Sequence, residues 1–318
     1  MYSPYLYARQ SELLALRALL KDGLDLSGLV PVLEPVIINT KGLKACTEAF
    51  ADAGHPLIIA TNPSHNEFKG ISNPQEEFYK HIKDFIHSSP SIVPGFNLTK
   101  NTTKNEVDAF LNKYSQQNVA LIHNNPSISL NEFGTHPHFP NIKYNIILSN
   151  KITSAHKGAL PTLSLISVED SFIKQAKNAD YSGKEHFTDK HKTIGLDKLA
   201  YGDYTITGQK LEIGGGKPGA VTIHAIYKDK ATQDIWIEHF VSEETDRNIG
   251  SVESKFLDAA RKLVRETTSR PGEFSDNSAL QSYKYHVANN TWPGLPKNKE
   301  LQIRHHICLM LDVISGKI

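Results

Sequence analysis

The chain has 318 residues, of which 39% are hydrophobic and 22% charged, and its formal net charge at pH 7 is +1. This composition is typical of a globular protein with one large domain, or with one domain and an appendage. The near-neutral charge gives no indication of nucleic-acid binding, and the longest apolar run is far shorter than the ~20 residues that span a bilayer. The first residues lack the pattern of a secretory signal, so we expect a cytoplasmic protein.

Short apolar runs alternate with helix-like segments through the first part of the chain. Each run ends in a polar residue, and runs of this length between helices are typical of βα units around a buried parallel sheet. We therefore predict an α/β fold, a TIM-like (β/α)8 barrel. Five of the runs are Leu29–Ile37, Pro56–Pro63, Ser91–Asn97, Asn118–Pro126 and Lys143–Asn150.

Helix boundaries are marked by local signals. The leucine-rich helix that follows the first strand is expected to stop at Gly23. Asn73 is a predicted N-cap because proline follows it at the first helical position. Thr103 with Glu106 forms a capping-box pattern. The segment Leu160–Tyr181 reads as a strand followed by a helix.

The character of the chain changes after Tyr181. Two β-rich runs joined by a short polar segment predict a β-hairpin, in which His224 and His239 would face each other as ordinary sheet histidines. The eighth barrel strand is expected from Asp203–Thr207 or from Ala220–Tyr227.

Three helix-like segments end the chain. We predict a barrel over residues 1–242, with an inserted loop and hairpin near its end, and a helical segment over 243–318 packed on the barrel. The segment Leu301–Ile314 has more apolar positions than one buried stripe needs. It would either lie in a groove between barrel helices or form a homo-oligomer or protein-partner interface.

Side chains at the carboxyl ends of barrel strands line the ligand face in this class of fold. Polar residues at predicted strand ends are therefore our candidates for a site. The candidate catalytic residues are Arg9, Glu34, His123, Asp170 and Asp203. The candidate ligand-binding residues are Gln10, Glu12, Asn62, Asn97, Asn124 and Tyr204.

Each candidate also has a structural interpretation. Arg9 would bind an anionic ligand or lie exposed at a helix start. Glu34 would act as a general base with a raised pKa, or form an ion pair with Arg9. Asp170 would help to bind a cation or cap a helix. The asparagines are common in turns for local reasons.

No cofactor is indicated by the sequence. It has no Walker A, HExxH or GxSxG motif, and its 15 histidines are scattered. The close pair His136 and His138 falls in a predicted loop, and Cys46 and Cys308 are far apart on apolar helix faces. We therefore predict no metal site and no disulfide.

Several blocks of the sequence together resemble the bacterial "beta family" of proteins, as far as Arg265. The resemblance implies a barrel-type α/β fold and an association with mobile or defence loci, and it carries no catalytic residues over. The blocks are Tyr5–Glu12, Val30–Pro35, Glu169–Tyr181, Gly202–Gly208, Ala220–His224 and Glu238–Ser242.

Two functions follow as hypotheses. The first, from the resemblance, is a component of an anti-phage defence or toxin–antitoxin type locus that binds a partner protein or a small ligand at a barrel face. The second is a barrel enzyme, a hydrolase or transferase, that acts on a nucleotide-like or other anionic substrate through an Arg/Glu/His/Asp site.

Overall fold

The computed structural model describes residues 1–149, 151–214 and 216–318, so Asn150, the last residue of one predicted strand run, lies outside the described residues. The strands and helices of the first half are β1 (Tyr5–Leu6), α1 (Gln10–Lys21), β2 (Val32–Leu33), α2 (Lys41–Asp52), β3 (Leu57–Ala60), α3 (Pro74–Ile82), β4 (Ile92–Leu98), α4 (Lys104–Lys113), β5 (Val119–His123), α5 (Leu130–Phe133), β6 (Ile142–Leu148), α6 (Ser154–Gly158) and β7 (Leu165–Glu169). Those of the second half are β8 (Lys184–Thr188), β9 (Ala200–Asp203), β10 (Thr222–Lys228), β11 (Ile235–Val241), α7 (Val252–Ser269), α8 (Ser278–Asn289) and α9 (Leu295–Ile314).

Eight strands form one parallel sheet in the order β1-β2-β3-β4-β5-β6-β7-β9. Backbone hydrogen bonds from Ser3 N to Tyr201 O (2.8 Å) and from Tyr201 N to Met1 O (3.2 Å) join β9 to the residues just before β1 and nearly close the sheet. A Cβ atom at Gly202 would lie 2.1 Å from the Ser3 carbonyl oxygen, so the closure requires glycine there. The predicted TIM-like barrel is confirmed. The eighth barrel strand is β9, which ends at Asp203, the first residue of the predicted segment Asp203–Thr207.

The helix signals at Asn73 and Thr103 are confirmed. The Asn73 side chain accepts a hydrogen bond from the backbone N–H of Glu76, and Thr103 and Glu106 form the reciprocal capping box. The helix predicted after β7 is wrong, because residues 171–181 form an irregular segment that contains only a short 3₁₀ turn. Phe172 and Tyr181, whose rings pack at 5.9 Å, hold this segment in place and override its helical propensity.

The chain folds into two compact units, and neither is a continuous segment. The barrel unit comprises Met1–Arg9, Asp25–Asp170 and Lys190–Tyr204. The second unit comprises Gln10–Leu24, Ser171–Asp189 and Thr205–Ile318. Helix α1 and the hairpin therefore belong to the same unit as the C-terminal helices. The prediction from the sequence included them in a barrel over residues 1–242.

The second unit contains a three-stranded antiparallel sheet in the order β10-β11-β8. Its hairpin is as predicted, with His224 opposite His239. One face packs against α7 and α8 in a core that includes Ile223 and Phe256. Cys308, like Cys46 of the barrel unit, is buried and free, as expected of small core residues.

Helix α9 packs against α1, α8 and β10 inside the second unit. It also covers the open edge of the sheet, because Gln302 accepts a hydrogen bond from the N–H of His224 and the His305 side chain donates to the carbonyl of Ile226, both at 2.9 Å. Residues 301–311 are buried throughout. The surplus apolar surface of this helix is therefore covered within the chain. Among the described helices, none has the length and apolar character needed to cross a membrane.

Candidate functional site

The register of the barrel strands decides which strand-end side chains share a face. Phe96 packs against Phe110 of α4 at 4.9 Å, so its face of β4 is turned towards the helices. Side chains alternate along a strand, and Asn97 therefore lies on the opposite, interior face. The pairing of Val32 with Ile58 and of Ile58 with Val93 places Glu34 on that interior face too. The same pairing rule places Tyr5 there, opposite Val32.

Glu34 is the centre of a hydrogen-bonded group at the carboxyl end of the barrel. Its side chain is only 4% exposed. The Tyr5 hydroxyl donates to Oε2 at 2.6 Å, and His65 Nδ1 donates to Oε1, also at 2.6 Å. A buried carboxylate is costly without such partners, and these two short bonds satisfy one oxygen each. The predicted ion pair between Glu34 and Arg9 is not formed, because Tyr5 and His65 are the partners of the Glu34 carboxylate.

His65 comes from the loop after β3 and is the exposed member of the group. Its side chain is 36% exposed. The hydrogen bond to Glu34 raises the pKa of His65, and this outweighs the opposing effects of burial and of the Lys69 and Lys151 charges. Among the described residues, Nε2 of His65 has no hydrogen-bond partner. The ring is thus oriented by a carboxylate on one side and open to a ligand on the other.

Tyrosine rings form the wall beside this pair. Tyr204 lies 5.3 Å from Tyr5 and 6.2 Å from Tyr7 between ring centroids, and the Tyr7 ring meets His65 edge-on at 5.9 Å. Burial, followed by the charge of Glu34, raises the pKa of Tyr5 well above its usual value. Tyr5 therefore stays protonated as a hydrogen-bond donor. Tyr204, a predicted ligand-binding residue, is 1% exposed and belongs to this wall.

The two asparagines at the ends of β3 and β4 have different environments. Asn62 uses its whole amide to bind the backbone of Asn97, donating to the carbonyl at 3.0 Å and accepting from the N–H at 2.7 Å. This is a structural clamp between neighbouring strands. Asn97 is 5% exposed, and its Nδ2 has no hydrogen-bond partner among the described residues. A buried donor left in this state on the interior face is a group that a ligand acceptor would satisfy.

Two predicted catalytic residues lie on the other face of the sheet. His123 is two residues beyond Leu121, which pairs with Phe96, so it shares the helix-side face of Phe96. It contacts Asn145 at 3.1 Å and the His156 ring at 5.1 Å. Burial lowers the pKa of His123 to about 4, so it is neutral at pH 7.

Asp203 also lies on the helix-side face, where it accepts a hydrogen bond of 2.8 Å from the Tyr2 hydroxyl. The structure therefore does not bring His123 and Asp203 together with Glu34, although all three residues are at strand ends. Strand position was predicted correctly, but alternation along the strand turns their side chains away.

The remaining candidates have these positions. Arg9 is partly buried just after β1, Asp170 is exposed just after β7, and Asn124 is partly buried just after β5. Asp170 precedes no helix, so its predicted capping role is wrong. Gln10 and Glu12 are in α1, which belongs to the second unit.

The backbone is strained at several of these strand ends. Ala8, Asn125 and Ser149 follow β1, β5 and β6, and all three have positive φ, at 51°, 59° and 47°. Non-glycine residues in this region cost free energy and concentrate at functional sites. The strain therefore supports a site at the carboxyl-end face of the barrel.

An open depression with a volume of about 610 Å³ lies between the loops that follow β5 and β6. It is within the size range of small-molecule sites. Lys151 lines it and also acts electrostatically on His65, so the depression and the Glu34–His65 pair are near each other at the same end of the barrel. Among the described residues there is no cluster of three or more His, Cys, Asp or Glu that would hold a metal ion.

His65 and Tyr5 were not among the predicted site residues. Tyr5 is at the start of β1, whereas the candidates were residues at strand ends. His65 is three residues beyond the strand-end Asn62, in the sequence NPSHNEF. The signal for His65 is its position in the loop directly after a predicted strand end. Only the structure shows that it turns back to Glu34.

Comparisons with protein-family models, with curated proteins and with solved structures found no match to this chain. The class of the protein is therefore defined by its fold, a TIM-like α/β barrel accompanied by a second unit of sheet and helices. The candidate site is defined by its geometry, a carboxylate–imidazole pair at the face where barrels of this class bind ligands.

Proposed function

We propose that the barrel is an enzyme in which His65 transfers protons to and from a small anionic substrate. The observation that carries this proposal is the bond between His65 Nδ1 and the buried Glu34 carboxylate at 2.6 Å. It fixes the tautomer that leaves the Nε2 lone pair facing outward when the ring is neutral. A carboxylate behind an imidazole also stabilises the imidazolium that forms when Nε2 takes a proton.

The proposed chemistry is hydrolysis or group transfer. His65 Nε2 removes a proton from water or from a substrate hydroxyl, that oxygen attacks the electrophilic centre, and the imidazolium returns the proton to the leaving group. Tyr5 remains neutral and holds the second oxygen of Glu34. The buried Nδ2 of Asn97 donates to a substrate oxygen and so positions the reacting group.

The charges around the pair favour an anion. Lys69 and Lys151 are near enough to lower the pKa of His65, so their positive charges act at the site. A phosphate or carboxylate group would be attracted by these charges, which fits the anionic substrate expected from the sequence.

A screen with defined probes tests the proposal. The full-length protein is incubated with nucleoside mono-, di- and triphosphates and with carboxylate esters, and products are followed by phosphorus and proton NMR. Turnover by the wild type should fall by roughly two to four orders of magnitude in His65→Gln. The control is His81→Gln, because His81 is also paired with a glutamate, Glu77 at 3.5 Å, but on the surface of α3.

Equal turnover in His65→Gln and in the wild type would refute the catalytic role. Saturable binding of a probe that depends on Asn97 but gives no product would favour the alternative, a ligand-binding barrel. Association in a defence or toxin–antitoxin type locus remains an expectation from the beta-family resemblance. Phage challenge of cells that carry the wild-type gene or the His65→Gln gene would test it.

The prediction of a partner or a second copy bound through the C-terminal helices depended on the surplus apolar surface of α9. This helix is buried within the second unit. Such an association would have to use other surfaces.

A further inference from the structure

A second group of titratable side chains lies in the second unit, on the sheet face opposite the α7–α8 core. His224 of β10, His239 of β11 and Glu185 of β8 are neighbours across the three strands. His239 Nε2 is 3.2 Å from Glu185 Oε1, and Nδ1 of His239 is 2.8 Å from Nδ1 of His224. The three side chains form one continuous hydrogen-bonded chain.

The chemistry of the groups fixes the direction of these bonds. A carboxylate only accepts, so His239 Nε2 carries a proton and donates it to Glu185. Burial lowers the pKa of His239, so this ring is neutral and its Nδ1 is an acceptor. His224 Nδ1 must then be the donor. In a neutral His224 the lone pair is on Nε2, which has no hydrogen-bond partner among the described residues.

The surroundings of His224 are apolar with one nearby cation. Phe172 and Tyr181 meet its ring edge-on at 5.0 and 4.5 Å. Burial, then the neighbouring His239 and the Lys299 charge, lower the pKa of His224 well below 6.5. The side chain is 8% exposed, so the ring edge reaches the surface only narrowly.

Ordinary packing does not require an ordered chain of three titratable side chains across a sheet. A threonine or valine pair would fill such a position without desolvating two imidazole rings, whose burial lowers the pKa of both histidines. A carboxylate that orients one imidazole, which in turn orients a second, is the arrangement that activates a base or nucleophile.

We propose that the Glu185–His239–His224 chain is a second site, in which Nε2 of the neutral His224 accepts a hydrogen bond from the O–H group of a small molecule. The chain keeps Nε2 as an acceptor, since Glu185 accepts a hydrogen bond from Nε2–H of His239, and His239 Nδ1 accepts one from Nδ1–H of His224. The aromatic walls fit a ligand of phenol type better than a strongly hydrated one.

Diethyl pyrocarbonate tests whether the nitrogen is free and activated. The Nε2 lone pair attacks a carbonyl carbon of the reagent, a C–O bond breaks, and ethyl carbonate leaves and decomposes to carbon dioxide and ethanol. The Nδ1 proton of the acylated ring passes to His239. Modified peptides are quantified by mass spectrometry at pH 6, with His186 of the same sheet as the internal reference because its side chain is 47% exposed.

In the wild type, His224 should be modified at least as fast as His186 despite its lower exposure. Glu185→Gln should slow modification of His224 by roughly tenfold relative to His186, because the carboxylate no longer receives the relayed proton. His239→Asn serves as a second variant, and the melting temperature of each variant is measured to confirm that it folds. A His224 that stays unmodified while His186 reacts, or a rate that is the same in both variants as in the wild type, would overturn the proposal.

The class of ligand is tested with p-nitrophenol at pH 6. Isothermal titration calorimetry should show saturable binding of the phenol, and this binding should disappear in His224→Gln. It should persist in His65→Gln, which separates this site from the barrel site. Absence of saturable binding to the wild-type protein, or its persistence in His224→Gln, would refute the assignment.

Discussion

Glu34 and His65 lie 31 positions apart in the chain, and their side chains meet in a hydrogen bond of 2.6 Å. The carboxylate is at the end of the buried strand β2, whereas the imidazole belongs to a loop that returns over the barrel after β3. The rigid strand thus supplies the orienting group and the loop supplies the accessible one. This arrangement gives the proton-transfer hypothesis its most direct test.

Removing the carboxylate charge should lower the pKa of His65. In the wild type this pKa is raised, first of all by the hydrogen bond to Glu34. In Glu34→Gln the bond is to a neutral amide, while burial, Lys69 and Lys151 continue to disfavour the imidazolium. The pKa should therefore fall, to below the usual value near 6.5. Proton–nitrogen correlation NMR of the histidine rings measures it, and an unchanged pKa would contradict the assigned pairing.

If His65 is the general base, the pH–rate profile should move in the same direction. Activity requires a neutral imidazole, so it rises as pH increases through the pKa of His65. The ascending limb should lie above pH ~6.5 in the wild type and move to lower pH in Glu34→Gln, with a lower plateau. If Glu34→Gln changes the pKa of His65 measured by NMR but leaves the ascending limb of the pH–rate profile in place, another residue is the general base.

The same pair makes a pH-dependent contribution to stability. Because the folded-state pKa of His65 is above the unfolded value, its stabilising effect is fully present below pH ~6.5 and is lost as pH rises through the folded pKa. The difference in free energy of unfolding between wild type and His65→Gln should shrink across that window. Urea unfolding at several pH values measures it, with His81→Gln as the exposed control.

The barrel closure should fail when a side chain is added at Gly202. The new Cβ would be 2.1 Å from the backbone oxygen of Ser3, which cannot move without breaking the contact between β9 and β1. We expect Gly202→Ala to lower stability by about 3 kcal/mol or more, or to prevent folding. Gly158→Ala is the matched control, because nothing lies within 4 Å of its added Cβ. Similar melting temperatures for the two variants would contradict this account.

Sequence patterns were sufficient for the barrel because strand and helix periods are local. The capping signals at Asn73 and Thr103 depend only on neighbouring residues, and both were correct. The site was harder, since a strand-end position does not decide a side chain's direction. Successive side chains of a strand point to opposite faces of the sheet. Glu34 is therefore turned inward and His123 is turned towards the helices, although both are at strand ends. The partner of Glu34 comes from a loop, where no periodic pattern constrains the sequence.

Tertiary contacts also explain why the helix predicted after β7 does not form. Residues 171–181 have a helical pattern, but Phe172 and Tyr181 instead pack around the ring of His224. Those contacts join segments about 50 residues apart, as their numbering shows, and no local rule anticipates them. The assignment of α1 to the second unit has the same origin, since α1 packs against α9 at the other end of the chain.

The Asn97→Ala variant distinguishes a ligand-binding role of Asn97 from a structural one. The Nδ2 atom of Asn97 is buried and has no partner among the described residues, so removing the amide sacrifices no hydrogen bond of that atom. Asn97→Ala should change the melting temperature little, whereas affinity for an anionic probe should fall by roughly tenfold, the value of one lost hydrogen bond to a charged group. Isothermal titration calorimetry and thermal unfolding measure the two effects. A large loss of stability with unchanged affinity would make Asn97 a structural residue.

Deletion of residues 297–318 removes nearly all of α9, and the consequence should be unfolding of the second unit. Leu301, Ile303, Ile307 and Leu309 are all 0% exposed, so the deletion would uncover the apolar surfaces of α1, α8 and β10 that they contact. Burying one such side chain stabilises a protein by ~1.5–3 kcal/mol, so four contribute ~6–12 kcal/mol, which is comparable to the whole net stability of most domains. The edge of β10 would also lose Gln302 and His305, which leaves its backbone groups open to pairing with other chains. The truncated protein should therefore aggregate or lose its cooperative thermal transition. A truncated protein that stays monomeric and folded by light scattering and circular dichroism would show that α9 is dispensable. As a control, deletion of only Lys317 and Ile318 leaves the whole helix and should have a much smaller effect.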